Sequence, residues 1–542
     1  MASFSTQAAK GSAGKSGQTT VKGRYDALTS VRSGVLERAR TAAEITIPGL
    51  LPRAGSTETN DLPIPNQSMG ARSVTNLSSR LMIALFPPNR SFFRFRLPKE
   101  LQEEFEESGE FEESQIENAL AENEQIVTDK FESTASRQQV FIAIQHLIVA
   151  GNYMLKVEED NSLRGFRLDQ FVVSRDARGN VKEIVTQENV AWETLDKRIR
   201  RKVAKPDISV SQEVPANTAD SNKVGGNDID VYTQIKFDPS KRKKKRWVVK
   251  QEIDGKIVQT GSFEVNPFLP IRWFAVSGEN YGRSHVEENI GDLAALDGLS
   301  KSILDAAVAS ARILLLRNPA GLTKEEDLAR GENGDIINGR EDDVAFLQVG
   351  KFADMQVAAQ EAGVLRDGIG FAFLLNTSLQ RDGERVTATE IRTLAQELEG
   401  TLGGVFSHLA NELQRPYLRR MITQLQKNGE LAVFDETDVK FEILTGLEAL
   451  GREADLVNIQ TLTQLLQALP ESAQDTVKWN QIVKKIVIAL NLDLESAVKS
   501  NDELEAEQAT EFQQQIAVAG AQSAAESGGQ VAGQNIAQAA TG

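Results

Sequence analysis

Apolar positions recur at helical spacing from the start of the patterned chain. Leu28, Val31, Val35, Leu36 and Ala39 mark one face of a helix over 25–43, closed by Pro48 and Pro52. A second helix is predicted over 69–85, stopped by Pro87-Pro88, and the alternation of Ser91 to Leu97 then reads as a short strand. Helical patterning resumes over 118–149 and ends at Gly151-Asn152. From 153 to 275 the period changes. Short β-rich runs dominate, and Trp247 to Ile253, Asp254-Gly255 and Lys256 to Thr260 form a hairpin signal, because Asp-Gly supplies the positive φ angles of a two-residue turn. From Val286 the helical period returns with Leu293, Leu296, Leu299 and Ile303. It is interrupted over 317–350 by a Gly-rich stretch and resumes over 353–375. After a polar loop, 376–386, the pair Thr387-x-x-Glu390 is a capping box opening a helix of about 23 residues, roughly 35 Å long. Pro416 is expected to kink or end it.

The ends read differently. Residues 1–22 are polar and small, so order is expected to begin near Arg24, and 501–542 carry six acidic residues and no basic ones, the mark of a mobile or weakly helical tail. Residues 205–228 read as a polar loop, and 440–500 as a small, mainly helical unit. The class is α+β, mainly helical. At about 150 residues per domain, a length of 542 suggests three or four domains.

Composition removes several functions. There is no cysteine, which excludes disulfides, thiolate metal sites and cysteine nucleophiles. The three histidines, His146, His285 and His408, have no metal-ligand spacing, so no metal and no cofactor is expected. His146 lies in an apolar run and reads as a core histidine, while His285 and His408 lie on predicted helices without evident carboxylate partners. No signal pattern and no span long enough for a membrane is visible. The formal charge is −16, too acidic for a grip on nucleic acid over the whole surface.

Charge is unevenly spread. Residues 100–125 hold eleven Glu and no Lys or Arg, and read as a solvated helix face. Lys241, Arg242, Lys243, Lys244, Lys245 and Arg246 form an unbroken basic run, either a contact for nucleic acid or another acidic surface or a solvated loop. Ala9 to Ser16 fits a relaxed phosphate-loop pattern, but too few residues precede it to build the buried strand such a loop needs. Arg381 and Arg385 lie on the polar loop between two long helices; read alone, they are solvated charges on a helix connection.

Several runs, in order, resemble the portal, or head-to-tail connector, proteins of short-tailed T7-like bacteriophages. They are Glu37-Arg-Ala-Arg40 with Glu44-Ile-Thr-Ile-Pro48-Gly-Leu-Leu-Pro52, Gln67-Ser-Met-Gly-Ala-Arg72, Leu85-Phe-Pro-Pro88 and Tyr281-Gly-Arg-Ser284. Asn318-Pro-Ala-Gly321, Phe346-Leu-Gln348 and Phe371-Ala-Phe-Leu-Leu-Asn376 follow. The strongest is Gly383-Glu-Arg-Val-Thr-Ala-Thr-Glu-Ile-Arg392, followed by Leu402-Gly-Gly-Val405 and Thr445-Gly-Leu-Glu-Ala-Leu-Gly-Arg452. The resemblance covers roughly 24–455.

The resemblance implies a non-enzymatic ring of twelve subunits at one capsid vertex, assembled in the host cytoplasm, with double-stranded DNA passing through its channel in packaging and ejection. It implies a flexible segment over 1–23, a mixed α/β wing over 24–275, a stem helix over 276–311 and a clip over 312–350. A second stem helix over 351–375, a tunnel loop over 376–386, a long wing helix over 387–430, a crown over 431–500 and the tail over 501–542 complete the plan. Arg381 and Arg385 would face DNA from the loop, with Lys301 and Asp305 on the stem. Asn318, Pro319, Gly334, Arg340 and Gln348 would lie at the clip interface, docking the terminase large subunit and later the tail adaptor. Scaffold, major capsid and internal core proteins are the other implied partners, with no membrane. Twelve acidic copies would repel phosphate and favour sliding over sticking. Two other classes stay open on the residues alone: another virion component, such as an adaptor or core protein, and an NTPase using Ala9 to Ser16.

Overall fold

The computed structural model describes residues 20–53, 62–88, 91–96, 113–203, 228–242, 246–310, 314–336, 338–347, 352–375, 404–431 and 440–443. The chain divides into two compact units, Met1–Ala449 and Leu450–Gly542, and every described residue belongs to the first.

Helix α1 (Val21–Ile45) buries Tyr25, Leu28, Leu36, Ala39 and Ala43 along one stripe. It starts before Arg24, where the sequence places the onset of order. The cause lies far away in the chain: the carboxylate of Glu252 accepts the N–H groups of Val21 at 2.6 Å and Lys22 at 3.3 Å. Those are two of the donors that a helix start leaves unsatisfied. Thr20 caps a third, accepting from Gly23 N–H at 3.1 Å. Helix α2 (Met69–Leu85) has the bounds its apolar stripe predicts.

The pattern over 118–149 is not one helix. It divides into α3 (Glu113–Ser133) and α4 (Ser136–Ala150), with Ala135 at φ 53° between them. The Thr134 hydroxyl bonds the Lys130 carbonyl at 2.9 Å and meets the Ser136 hydroxyl at 2.7 Å, so side chains compete with the helical ladder at that point. Nor is the acidic stretch wholly solvated. Glu124 is buried and accepts the Phe95 N–H at 2.9 Å. Helix α4 ends at Gly151, φ 70°, where a Cβ would stand 2.7 Å from the backbone of Arg283. Only glycine fits both the angle and the approach.

Strand β1 (Phe93–Arg96) follows α2 in the chain. Next come β2 (Asn152–Val157), β3 (Leu163–Phe166), β4 (Phe171–Arg175), β5 (Val181–Ala191) and β6 (Asp228–Phe237). Then come β7 (Trp247–Ile253), β8 (Lys256–Phe263) and β9 (Phe268–Arg272). One sheet is ordered β3-β2-β9 and a larger antiparallel one β4-β5-β6-β7-β8. The predicted hairpin is β7–β8, with Asp254 at φ 49° and Gly255 at φ 73°. The core runs continuously through α1, α2, α4 and the inner faces of both sheets, around fully buried Trp273, Phe86, Phe131 and Phe166.

Helix α5 (Ile290–Ser310) leads to β10 (Leu314–Arg317), which pairs antiparallel with β11 (Val344–Leu347), and α6 (Phe352–Ala372) returns to pack against α5. Helix α7 (Val405–Leu409) runs through a π-turn (Ala410–Gln414) into α8 (Arg415–Asn428). Pro416 therefore does not end the helix. It occupies the first turn of α8, where its missing N–H is tolerated, and the widened π-turn precedes it. Strand β12 (Lys440–Ile443) closes onto β1, Phe93 opposite Ile443.

Candidate functional site

The arm formed by α5, the β10–β11 ladder and α6 is rooted in the core at one end and bare at the other. Leu293 and Leu296 of α5, and Ala362, Ile369 and Phe373 at the α6 end, are buried. The same helices also show apolar side chains to solvent, Leu304 and Val308 on the outer half of α5, Val357 on the outer half of α6, and Val364 and Phe371 on the face of α6 turned away from its buried root. Leu304 is 60% exposed, Val364 62% and Phe371 75%. Large apolar groups left in solvent on two neighbouring helices are of the kind that mark interaction sites. Lys301 and Asp305 are both exposed on this outer part of α5, one turn apart, and no ion pair joins them among the described residues.

The root of α6 is held by side chains from elsewhere. Asn76 of α2 donates its amide to the carbonyls of Phe373 at 3.2 Å and Leu374 at 3.1 Å. His285 Nε2 lies 3.0 Å from the Ala372 carbonyl; since a carbonyl only accepts, that nitrogen carries the proton. The His285 ring packs edge-on to Phe373 at 4.7 Å, and its Nδ1 stands 3.6 Å from Glu288. Leu374 adopts φ 57°, an uncommon angle for a side-chain-bearing residue, which these bonds hold in place. Asn66 ties its backbone and amide to Asp297 of α5 at 2.6 and 2.9 Å.

The far end of the arm is organised by Asp343. Its carboxylate accepts from Leu322 N–H at 2.8 Å, Thr323 N–H at 3.1 Å and the Thr323 hydroxyl at 3.1 Å, and its carbonyl takes Asn318 N–H at 2.9 Å. Gly321 lies against it so closely that a Cβ would come within 2.5 Å of the carboxylate. Asn318 also accepts Ala320 N–H at 3.1 Å, and Arg340 N–H donates to Thr323 at 3.3 Å. Pro319 and Arg340 are exposed, Gly334 turns the chain at φ 104°, and Ile336 is 100% exposed. Asn318, Pro319 and Arg340 thus fall on one module, with Gly334 on the stretch of chain that leads to Arg340. Gln348, Arg381, Arg385, Lys243, Lys244, Lys245 and the segment Ala9 to Ser16 lie outside the described residues, as does nearly all of 431–542.

Sequence reasoning missed a buried ionic centre between the sheets and the π-turn. Glu412, on the π-turn, accepts from the Arg272 backbone N–H at 2.9 Å and from its Nε at 3.0 Å, with a further short contact to the same guanidinium. Arg175 reaches within 3.9 Å and His408 Nε2 within 3.6 Å. Burial alone would raise the Glu412 pKa. His408 and Arg272, with the charge of Arg175, outweigh it and hold the group down to about 2. Burial brings Arg175 down to about 10 despite its carboxylate neighbour. His285 and His408 therefore both have carboxylate partners, three and four residues on, contrary to expectation. The i,i+3 and i,i+4 spacings were the available signal; Arg175 and Arg272 gave none. His146 is buried and stacked on Tyr153 at 4.6 Å; desolvation, then the charge of Arg167, lowers its pKa to about 4. Tyr281 and Gly282 of the 281–284 motif are packing residues: Gly282 N–H donates to Asn152 at 2.7 Å, and the Tyr281 hydroxyl accepts Val173 N–H at 3.2 Å.

Residues 18–497 match the model of the bacteriophage head to tail connecting protein family, and the chain belongs to that family. Its curated relatives include the portal protein of Enterobacteria phage T3, 34% identical over 95% of this chain and 94% of that one. The portal protein of Escherichia phage T7 is 34% identical over 91% of this chain and 90% of the relative. Among solved structures, a chain from the neck of a native gene transfer agent particle, computed with C12 symmetry, aligns over 78% of this chain and 90% of its own at TM-score 0.36 and 14% identity. Among the described residues no helix is long and apolar enough to cross a membrane.

Proposed function

We propose that this chain is a portal protein, a component of the virion at one capsid vertex. The observation that carries this reading is similarity to portal proteins along nine-tenths or more of both chains. In this reading twelve copies form a ring whose central channel passes double-stranded DNA in packaging and ejection, without catalysis by this chain. The α5–α6 arm is the stem. Its exposed Leu304, Val364 and Phe371 suit burial against the arms of neighbouring copies. The module around Asp343 is the clip, presenting Asn318, Pro319, Gly334 and Arg340, with Gln348 beyond, to the terminase large subunit and afterwards to the tail adaptor. Lys301 and Asp305 line the channel, and Arg381 and Arg385 on the 376–386 loop contact passing phosphates. Residues 24–275 are the wing and 431–500 the crown, facing the scaffold, major capsid and core proteins.

Electron microscopy of the purified chain tests this. Twelvefold end-on rings with an open centre are expected; closed particles or another symmetry would count against it. Deleting 376–386 should leave rings intact and impair DNA packaging or retention; unaffected packaging and retention would end the tunnel-loop assignment.

A further inference from the structure

The strand registers gather positive charge at one end of the five-stranded sheet. Arg175 of β4 pairs with Val181 of β5, Glu183 of β5 with Lys236 of β6, and Phe237 of β6 with Trp247 of β7. The turn over 176–180 therefore emerges beside residues 238–242, which leave β6, and Arg246, which leads into β7. Arg178, Lys182, Lys236, Lys241, Arg242 and Arg246 all come out there, all exposed, and none is held in an ion pair among the described residues. The acids at this end are few. Glu183 is buried and paired with Arg24. Asp176 and Asp238 direct their carboxylates to turn amides, at Asn180 and Ser240. Glu264 is the other exposed acid after β8.

We propose that this sheet end is a sequence-indifferent seat for the phosphodiester backbone of double-stranded DNA, separate from the channel. Strands lie about 4.8 Å apart, so cations on β5, β6 and the β6–β7 turn fall within about 10 Å of one another. A duplex presents a negative charge every ~1.7 Å of its axis, a density that such a cluster matches. Lysine ammonium groups and the arginines beside them suit phosphate contact without base reading. The surface lacks what a protein partner needs. Protein docking sites are anchored on an apolar, aromatic centre. Here the large exposed apolar group among the described residues is Phe237, turned against Trp247 at 5.2 Å. The chain's charge of −16 disfavours attraction over the surface as a whole, so binding rests on a local concentration of cations such as this one. The site does not depend on the portal reading; it requires only the sheet register.

The test uses the full chain and a fluorescent mixed-sequence duplex, with binding followed by anisotropy from about 50 to about 200 mM salt. The K241A/R242A/R246A variant should bind at least about tenfold more weakly at low salt, with a salt slope shallower by about 2–3, near 0.9 for each phosphate left without its cation. Lys182→Glu with Lys236→Glu, exposed on the strands, should weaken binding similarly, and Lys256→Ala, at the opposite end of β8, should not. Wild-type binding unaffected by these substitutions, or no salt-dependent binding by the wild type, would overturn the proposal. So would loss of self-association in sedimentation with DNA binding intact, which would make a second copy the partner. Ring formation in the microscope judges the portal reading independently.

Discussion

Arg272 engages the Glu412 carboxylate through both its backbone N–H and its guanidinium, joining strand β9 to the π-turn between α7 and α8. A backbone donor cannot be removed by mutation, so the carboxylate is the vulnerable partner. Glu412→Ala would leave Arg175 and Arg272 buried without a counter-charge, a defect that costs about 3–5 kcal/mol. Chemical denaturation should show a loss of that order. A loss under about 1 kcal/mol would mean that water compensates the arginines.

The same carboxylate sets an acid limit. Its folded pKa, near 2, lies below the ordinary 4.5, so its stabilisation is fully present above about pH 4.5 and is lost as pH falls through 2. Wild type should therefore destabilise more steeply than Glu412→Gln over that window. Parallel curves would rule out Glu412 as the source.

His146 acts over a higher range. Its pKa of about 4 lies below the usual 6.5, so the unfolded chain binds the extra proton between those values. Stability is unaffected above about pH 6.5 and declines as pH drops toward 4. His146→Phe should remove this part of the decline in thermal melts; an unchanged profile would place the titration elsewhere.

Asn76→Ala should free the carbonyls of Phe373 and Leu374 at the end of α6. Leaving buried acceptors unpaired costs about 1–3 kcal/mol. Hydrogen exchange should rise at the last turn of α6 and stay unchanged at α2, whose own ladder is untouched.

Leu304→Asp and Phe371→Asp replace exposed groups, so the melting temperature of the isolated subunit should move little. Self-association should fall sharply, read as loss of the large species in sedimentation velocity. Persisting assemblies would show that these side chains do not form the interface.

Much of this protein was legible along the chain because the signals are local. Helix α2 follows its stripe with its predicted ends, and the β7–β8 hairpin follows Asp254-Gly255, since a turn's φ angles depend on the residues in it. Gly151 stops α4 for the same reason. The absence of cysteine and the overall acidity were compositional facts, and the ordered motifs carried the family. Tertiary structure decided what depends on partners distant in sequence. The early start of α1 depends on Glu252, and the burial of Glu124 on the Phe95 backbone. Glu412 meets Arg175 and Arg272 across more than a hundred residues, and Arg178 joins Lys236 and Arg246 through strand register. Periodicity reports which face of an element is apolar. It carries no information about which distant charge or backbone amide that face will meet, because those encounters are fixed only when the elements pack.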